Sequence, residues 1–446
     1  MYDIVRLLQN FFKNSEHIFS NHNNAIWKKG FILFLQIFVV VTVLKLTFAF
    51  LIFFSLSTVM LTHVNAEANG MPKWIGKIIS WHEKNLITND DLKLSLEYLD
   101  RKGIIDMKSV NFENILQKES KYDIQITKGE KHIVPLDKIR SGGPPPDGIP
   151  SIDEPKFAKA SEANFVSDDD LVIGVHYQGE TKAYPLFIMT WHEIVNDQFG
   201  DVPVAVTYCP LCFTNQVFER TINGKTVEFG TSGKLYNSNL VMYDRLTGSY
   251  WSQGLGLAIK DELTGSELDK IPFDVVRWGD WKTLYSDTIV LTTDTGHTRP
   301  YSSDPYSDYF KDPRVLFPVD NRDDRIPEKE LILGFENDGI YKAYRLSDVE
   351  SRKVVNDKIG DQNIVIVSTV PYMARAFDSN INGRVLEFEI RGDKIDDIQT
   401  DSIWNIEGVA ISGEMKDSRL DRITYDPGFW FEWVAFHPDT LVYGES

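Results

Sequence analysis

The sequence predicts an α+β fold, rich in β-structure, in which two tandem copies of one degenerate repeat pack as a pseudo-twofold pair. The main observation is an internal sequence repeat: LVIGVHYQGETKAYPL (residues 171–186) is similar to LILGFENDGIYKAYRL (residues 331–346). Alternating segments such as VPVAVTY and IVIVSTV predict strands, and INGK and INGR predict hairpin turns. Long helical periodicity is scarce, so we expect only one or two short helices in each copy, one of them around residues 186–195.

This repeat divides the C-terminal part of the chain into copy one, residues 133–325, and a degenerate copy two, residues 326–446. The segment FGTSGKLYNSNLVMYDR (residues 229–245) has no match in copy two, which is the shorter of the two. We therefore predict that copy one carries the chemistry and that copy two supports it. The Gly/Pro-rich stretch at residues 140–157 predicts a linker or an ordered loop at the edge of the domain.

Three further segments are predicted before copy one. Residues 1–30 are expected to be a cytoplasmic N-terminal segment, and residues 31–61 are almost wholly apolar and predict either a transmembrane helix or a signal peptide. Lys28 and Lys29 precede that run, which favours a cytoplasmic N-terminus. Residues 71–107 predict a helical hairpin. The expected location is the cell membrane, with extracytoplasmic C-terminal domains, or secretion after signal cleavage; the membrane is then a partner of the N-terminal segment.

The net charge of −18 excludes one class of partner. Nucleic-acid binding depends on a basic surface that replaces counterions on phosphates, and this chain offers none. A small molecule or a metal ion is the kind of ligand that the sequence leaves open.

The two cysteines, Cys209 and Cys212 in TYCPLC, are the centre of the predicted chemistry. Aligning the copies on their prolines places Cys209 opposite Val370 and Cys212 opposite Met373, so both thiols are peculiar to copy one. Four interpretations stay open: a structural disulfide, a thioredoxin-like redox site, a metal site and a nucleophilic thiol. The strand-like sequence after the second cysteine disfavours the thioredoxin-like site, which needs a helix there.

A metal site needs more ligands than two thiolates. His192 is the candidate third ligand, and soft sulfur with imidazole favours copper or zinc. The alternative for His192 is a packed residue of a short amphipathic helix. A supporting cluster of polar side chains is predicted around these three residues: Ser232, Asn237, Ser238, Tyr243, Asp244, Gln253 and Arg299.

The chain resembles the domain-of-unknown-function family numbered 3179. The resemblance is carried by SGGPPPDGIPSIDEPKF, WHEIVND, VTYCPLC, GTSGKLYNSNLVMYDRLTGSYWSQ, TGHTRPYSSDPYSDY and FWFEWVAFHPDT, which lie within about residues 133–443. It implies an exported or membrane-tethered bacterial or archaeal protein, and it brings no activity with it. Members of that family often have glycine after the second cysteine, where this chain has Phe213.

The sequence thus leads to three functional hypotheses. The first is an exported protein that binds copper or zinc through Cys209, Cys212 and His192. The second is a cysteine-dependent enzyme that performs redox chemistry or cleaves a small molecule. The third is an extracytoplasmic interaction module in which the cysteines form a structural disulfide.

Overall fold

A computed structural model describes residues 95–96, 98–99, 101 and 122–445. The chain divides into two units, Met1–Val110 and Asn111–Ser446. In the first unit the described residues are helical, and Leu96 and Leu99 are buried. The predicted segments 1–30 and 31–61, and most of the hairpin 71–107, lie outside the described residues. Within the described residues, no helix combines the length and the apolar character that crossing a membrane requires.

The second unit is rich in β-structure, as the sequence predicts. Two short 3₁₀ helices, Leu136–Lys138 and Ala160–Glu162, lie near its start. The elements up to residue 311 are β1 (Gln125–Thr127), β2 (Glu130–His132), β3 (Arg140–Ser141), β4 (Phe157–Lys159), β5 (Leu171–Tyr177), β6 (Glu180–Pro185), α1 (Leu186–Met189), β7 (Ile194–Phe199), β8 (Val202–Cys209), β9 (Thr214–Glu219), β10 (Thr221–Ile222), β11 (Lys225–Thr226), β12 (Phe229–Tyr236), β13 (Asn239–Asp244), β14 (Tyr250–Ser252), β15 (Leu257–Lys260), β16 (Asp274–Arg277), α2 (Trp278–Leu284), β17 (Ile289–Leu291) and α3 (Ser307–Lys311).

The remaining elements form what we call the second half, residues 331–442; the first half is residues 171–291. They are β18 (Leu331–Asn337), β19 (Ile340–Arg345), α4 (Leu346–Arg352), β20 (Val354–Ile359), β21 (Gln362–Val370), β22 (Met373–Asp378), β23 (Asn380–Ile381), β24 (Arg384–Val385), β25 (Phe388–Arg391), β26 (Lys394–Asp397), β27 (Ile403–Trp404), β28 (Ala410–Ser412), β29 (Arg422–Ile423), β30 (Asp426–Phe429), α5 (Trp430–Phe436) and β31 (Leu441–Val442).

The two halves share three runs of strand order, although their sheets differ in the total number of strands. The order β16-β5-β6-β17 in the first half recurs as β30-β18-β19-β31 in the second, and in both sheets the last pair is parallel. The order β7-β8-β9 recurs as β20-β21-β22, and β15-β14-β13-β12 recurs as β28-β27-β26-β25. The predicted Asn-Gly turns, INGK and INGR, join β10 to β11 and β23 to β24. Both turns have positive φ at the asparagine and at the glycine, as hairpins of this kind require.

One packing contact is repeated in detail. Gly174 in β5 lies under Trp281, and Gly334 in β18 lies under Trp433. A Cβ atom on either glycine would come within 2.4 Å or 2.3 Å of the tryptophan ring. Both tryptophans are buried, so each half uses a glycine to let a helix pack directly on its sheet.

The halves contact each other through two related polar clusters. In one, Asp274 of β16 accepts hydrogen bonds from Arg375 of β22 at 2.6 Å and from Arg422 of β29 at 2.7 Å. Burial alone would raise the pKa of Asp274, but the charges of the two arginines lower it below its ordinary value. The first half thus supplies the anion and the second half the cations.

The other cluster reverses these roles. Asp426 of β30 accepts from Gln216 of β9 at 2.7 Å and pairs with Lys270. Asp426 pairs in register with Gly334 as Asp274 does with Gly174, so the two aspartates hold equivalent positions. The halves thus exchange the acidic and the donor roles at equivalent positions.

Two local predictions are wrong. The helix expected over residues 186–195 ends at Met189, and a strand begins at Ile194, because Glu193 takes a φ of 60° that interrupts the helix. The segment 229–245 is not missing from the second half. It forms the hairpin β12–β13 in the first half, and the shorter hairpin β25–β26 holds the same place in the second.

Candidate functional site

The two cysteines lie at a tight turn between antiparallel strands. β8 ends at Cys209 and β9 begins at Thr214, and the backbone N–H of Cys212 donates to the carbonyl of Cys209 at 3.3 Å. Phe213 has a φ of 54°, the left-handed conformation that glycine adopts most readily. That conformation is a sufficient reason for the glycine that the family resembled by this chain often has at this position.

The equivalent turn of the second half is one residue shorter, because Thr207 pairs with Gln216 across the first turn and Val367 pairs with Arg375 across the second. Only Pro371 and Tyr372 separate β21 from β22, and Tyr372 has the positive φ that Phe213 has. Cys209 pairs with Thr214, and Val370 pairs with Met373. Met373 therefore stands opposite Thr214, so the predicted match between Cys212 and Met373 is wrong. Cys212 lies in the longer of the two turns.

Both thiols are free and completely enclosed. Cys209 is 1% exposed and Cys212 0%. Burial raises the pKa of the Cys212 thiol well above its ordinary value, and so does the Cys209 thiol, which is within hydrogen-bonding reach. The Asn239 amide donates to the Cys212 sulfur at 3.2 Å and opposes this effect. Cys212 is accordingly a protonated thiol at neutral pH.

A network of buried amides and hydroxyls surrounds the pair. Asn239 also donates to the carbonyl oxygen of the Gln253 side chain at 2.9 Å, and Gln253 donates to the Thr207 hydroxyl at 3.0 Å. The Cys209 sulfur lies 3.9 Å from the backbone oxygen of Ser238. The structure thus brings two predicted members of the cluster, Gln253 and Ser238, to the cysteines, and it adds Asn239 and Thr207.

Several polar atoms of this region have no partner. Of the eight buried side-chain N and O atoms that lack a hydrogen bond within the described residues, five belong to β9 or to residues beside Asn239 and Gln253. They are on Thr214, Asn215, Gln216, Ser238 and Ser252. Buried polar groups are nearly always paired, and a concentration of exceptions commonly marks a functional site or bound water.

The second half adds a carboxyl group that the sequence analysis missed. Glu432 of α5 is buried. Its Oε1 lies close against Gly254: if residue 254 were alanine, its Cβ would be 2.3 Å from this oxygen. The same Cβ would lie 3.3 Å from the Asn239 amide nitrogen. Burial, and then the neighbouring Cys212, raise the pKa of Glu432 well above its ordinary value, so it is a neutral acid. The signal for it is an acidic residue inside the apolar helix WFEWVAF.

His192 is part of a different hydrogen-bond chain. Its Nδ1 lies 2.7 Å from the carbonyl oxygen of Pro150, which can only accept, so Nδ1 carries the proton. Burial lowers the pKa of His192 to about 4, so the ring is neutral and its Nε2 accepts from the Tyr301 hydroxyl at 2.7 Å. The Thr295 hydroxyl in turn donates to the Tyr301 oxygen at 2.7 Å. Both nitrogens of His192 are therefore engaged.

This arrangement does not fit the predicted metal set. Nowhere in the described residues do three His, Cys, Asp or Glu side chains come together as a group that could hold a metal ion. His192 could bind a metal only by giving up its hydrogen bond to Tyr301 or to Pro150. The set of Cys209, Cys212 and His192 stays a prediction to which the geometry lends no support.

Two further predicted residues have structural roles. Ser232 lies at the bulge in β12, where its hydroxyl bonds to the carbonyl of Val241 and accepts from the backbone N–H of Lys234. Asp244 accepts from the indole of Trp251 at 3.0 Å. The second half repeats that contact between Trp404 and Asp397, so it belongs to the scaffold.

The last three predicted residues, Tyr243, Asn237 and Arg299, have contacts or neighbours other than the two thiols. The Tyr243 hydroxyl donates to Asp147, and the Asn237 side chain accepts from the backbone N–H of Asp320 at 2.9 Å. Arg299 lies in the sequence between His297 and Tyr301, the two residues whose rings adjoin His192. The single predicted cluster is thus two clusters and a set of scaffold residues.

Comparison with known proteins gives one match. A family model described as "Protein of unknown function (DUF3179)" matches residues 146–440. No curated protein matches the chain, and no solved structure does.

Proposed function

The chain belongs to the DUF3179 family, and because this membership brings no activity with it, we propose from the chemistry of the site that Cys209 and Cys212 are a dithiol–disulfide couple. The observation that carries the proposal is the turn itself, which holds two free, buried thiols within hydrogen-bonding reach of each other. Four-residue turns keep their end Cα atoms within about 7 Å, and a disulfide needs about 4.4–6.8 Å.

The oxidant in this proposal is a low-molecular-weight disulfide. Because Cys212 holds its proton, Cys209 makes the first attack, forming a mixed disulfide and releasing one small thiolate. The Cys212 sulfur then attacks Cys209, which releases the second small thiol and closes the protein disulfide. The two cysteine protons end on the two small thiols, and two electrons pass from the protein to the oxidant.

The polar neighbours support this chemistry. The Asn239 amide at 3.2 Å from the Cys212 sulfur stabilises the thiolate that forms there in the second step. Glu432, as a neutral acid beside Cys212, adds no negative charge that would oppose it. The second half therefore acts as more than support, since its helix α5 completes the surroundings of the thiols.

Access to the thiols is through the segment that covers them. The Tyr309 hydroxyl of α3 donates to the carbonyl of Leu211 at 2.8 Å, and Tyr306 and Phe310 pack on the same core. A small disulfide reaches the sulfurs when this segment opens locally, whereas a folded protein needs a much larger opening.

Copper(I) is the second candidate ligand of the pair. It accepts two sulfur ligands, and the two thiols lie on one tight turn, three residues apart. Zinc needs about four ligands, so it has less support from this turn.

The architecture and location are parts of the same proposal. We take the two halves to be copies of one unit packed about a pseudo-twofold axis; their shared sheet order and exchanged aspartate contacts support this. We also propose that residues 31–61 export the domain or anchor it in the membrane, since an exported dithiol meets an oxidising environment.

The test is thiol counting on the full-length protein, equilibrated with mixtures of a small thiol and its disulfide. We expect both thiols to disappear together at one redox midpoint, with the loss of two hydrogen atoms by mass spectrometry. Cys209→Ser and Cys212→Ser should each abolish the internal disulfide. Thiols that stay free in the folded protein at every ratio would overturn the redox proposal. If such a protein still binds one copper(I), and both serine variants do not, the second candidate replaces it.

A further inference from the structure

A second cluster, apart from the cysteines, surrounds His192. Its rigid part is the chain from Thr295 through Tyr301 and His192 to the carbonyl of Pro150, in which each bond is 2.7 Å long. Every donor and acceptor named in that chain is satisfied, so the chain fixes the positions of these side chains. It joins the loop at residues 295–301 to the end of the turn that follows α1.

Arg299 is a half-buried residue of the same loop, and one of its donors is unused. Its Nε is buried and has no hydrogen-bond partner. Within the part of the chain that the structure describes, no carboxylate lies within ion-pairing distance of Arg299, whereas Arg245 pairs with Asp153 and Arg375 with Asp274. Arg299 lies in the loop that His297 and Tyr301 hold against His192, and after burial its charge contributes to the lowered pKa of His192.

A second nitrogen base faces the same place. The exposed ring of His297 lies 5.7 Å from the ring of His192, centroid to centroid. Two side chains that can carry positive charge, His297 and Arg299, therefore lie in the loop that contacts a neutral histidine, in a protein whose net charge is −18.

A buried charged donor without an acceptor is unfavourable, and in native structures such a group usually meets a water molecule or an ion. The planar fork of a guanidinium matches the oxygens of a carboxylate or a phosphate, and an imidazole adds a further donor. We propose that Arg299 and His297 form a binding site for an oxyanion group, carboxylate or phosphate, of a small molecule. This site is independent of the cysteine couple.

The experiment titrates the full-length protein with sodium acetate and, separately, with inorganic phosphate, at constant ionic strength, by calorimetry. Saturable binding of one of the two is expected, and which one binds tells a carboxylate ligand from a phosphate ligand. Arg299→Gln should weaken that binding at least tenfold. Arg299→Lys, which keeps the charge but loses the fork, should weaken it less.

Arg314→Gln is the matched control, because Arg314 is exposed, lies in the same connecting segment and pairs with Asp312. It should bind as the wild type does. Thermal unfolding of each variant shows that a loss of binding is not a loss of fold. The proposal is overturned if neither anion binds the wild type saturably, or if folded Arg299→Gln binds as tightly as the wild type.

Discussion

The backbone N–H of Phe429 donates to the carbonyl oxygen of Cys212 at 2.8 Å. Phe429 is the last residue of β30 in the second half, so this half holds the cysteine turn of the first directly. Gly428 before it makes the approach possible. A Cβ on Gly428 would lie 3.0 Å from the Thr214 hydroxyl and 3.4 Å from that same carbonyl oxygen.

Gly428→Val should disturb the cysteine turn. The equivalent residue of β16 is Val276, which pairs with β5 as Gly428 pairs with β18. A valine is thus compatible with the strand and is excluded only by the longer turn that contains Cys212. We expect a loss of about 1–3 kcal/mol in the free energy of unfolding and faster alkylation of Cys212 in the folded protein.

The measurement for this variant is the rate of iodoacetamide labelling, followed by peptide mass spectrometry. Gly428→Ala is the control and should show a smaller effect in the same direction. Equal labelling rates for wild type and Gly428→Val would mean that β30 does not control access to the thiol.

Asp274 and Asp426 hold equivalent positions but have different partners. Substituting those partners should therefore lower the free energy of unfolding by unequal amounts. Arg375 is completely buried and bonds to Asp274 through both Nε and Nη2. Arg375→Met leaves a buried carboxylate with one fewer cation, and we expect a loss of about 3 kcal/mol in the free energy of unfolding. Gln216→Met, at the equivalent place in β9, removes only a neutral donor from Asp426 and should cost about 1 kcal/mol.

Urea unfolding of the two variants measures this difference. Because Asp274 has a lowered pKa in the folded protein, its contribution is present at neutral pH and is lost as the pH falls below the ordinary range of aspartate. The difference between the variants should shrink in acid. A Gln216→Met cost equal to that of Arg375→Met would contradict the assignment of the stronger cluster to Asp274.

His192 should make the folded protein less stable as the pH falls below neutrality. Its pKa is about 4 in the folded protein and about 6.5 in an unfolded chain. The unfolded state therefore binds more protons between these values, and stability falls as the pH drops from 6.5 to 4. His192→Gln should remove on the order of 2 kcal/mol of that fall. Thermal unfolding at pH 4.5 and pH 7 measures it, and an unchanged pH dependence would show that His192 is not a buried neutral ring.

The adjacent residue should have the opposite slope. Burial raises the pKa of Glu193 to about 8, above the ordinary value of about 4.3. Here the folded state binds more protons, so stability falls as the pH rises from about 4.3 to 8. Glu193→Gln should stabilise the protein by on the order of 3 kcal/mol at pH 8 and have little effect near pH 4. His192→Gln serves as its control, since the two variants must move the pH profile in opposite directions.

The parts of the site that could be predicted from the sequence are those fixed by local pattern. The strands, the Asn-Gly turns and the dithiol motif are short-range features, and periodicity or spacing finds them. The helix expected at His192 was wrong because a positive φ at Glu193, which no periodicity reveals, ends it. Glu432 was missed because its role depends on a contact with Gly254, far away in the sequence.

That contact leads to the last prediction, which combines a larger residue at position 254 in the first half with a smaller one at position 432 in the second. Gly254→Ala places a methyl group 2.3 Å from the present position of the Glu432 carboxyl oxygen, so it should displace that side chain and cost about 1–3 kcal/mol. Glu432→Asp shortens the acid by one methylene and makes room. The double variant should therefore recover more than half of the stability that Gly254→Ala loses. A double-mutant cycle by urea unfolding measures the coupling, and strict additivity would show that Glu432 does not pack against Gly254.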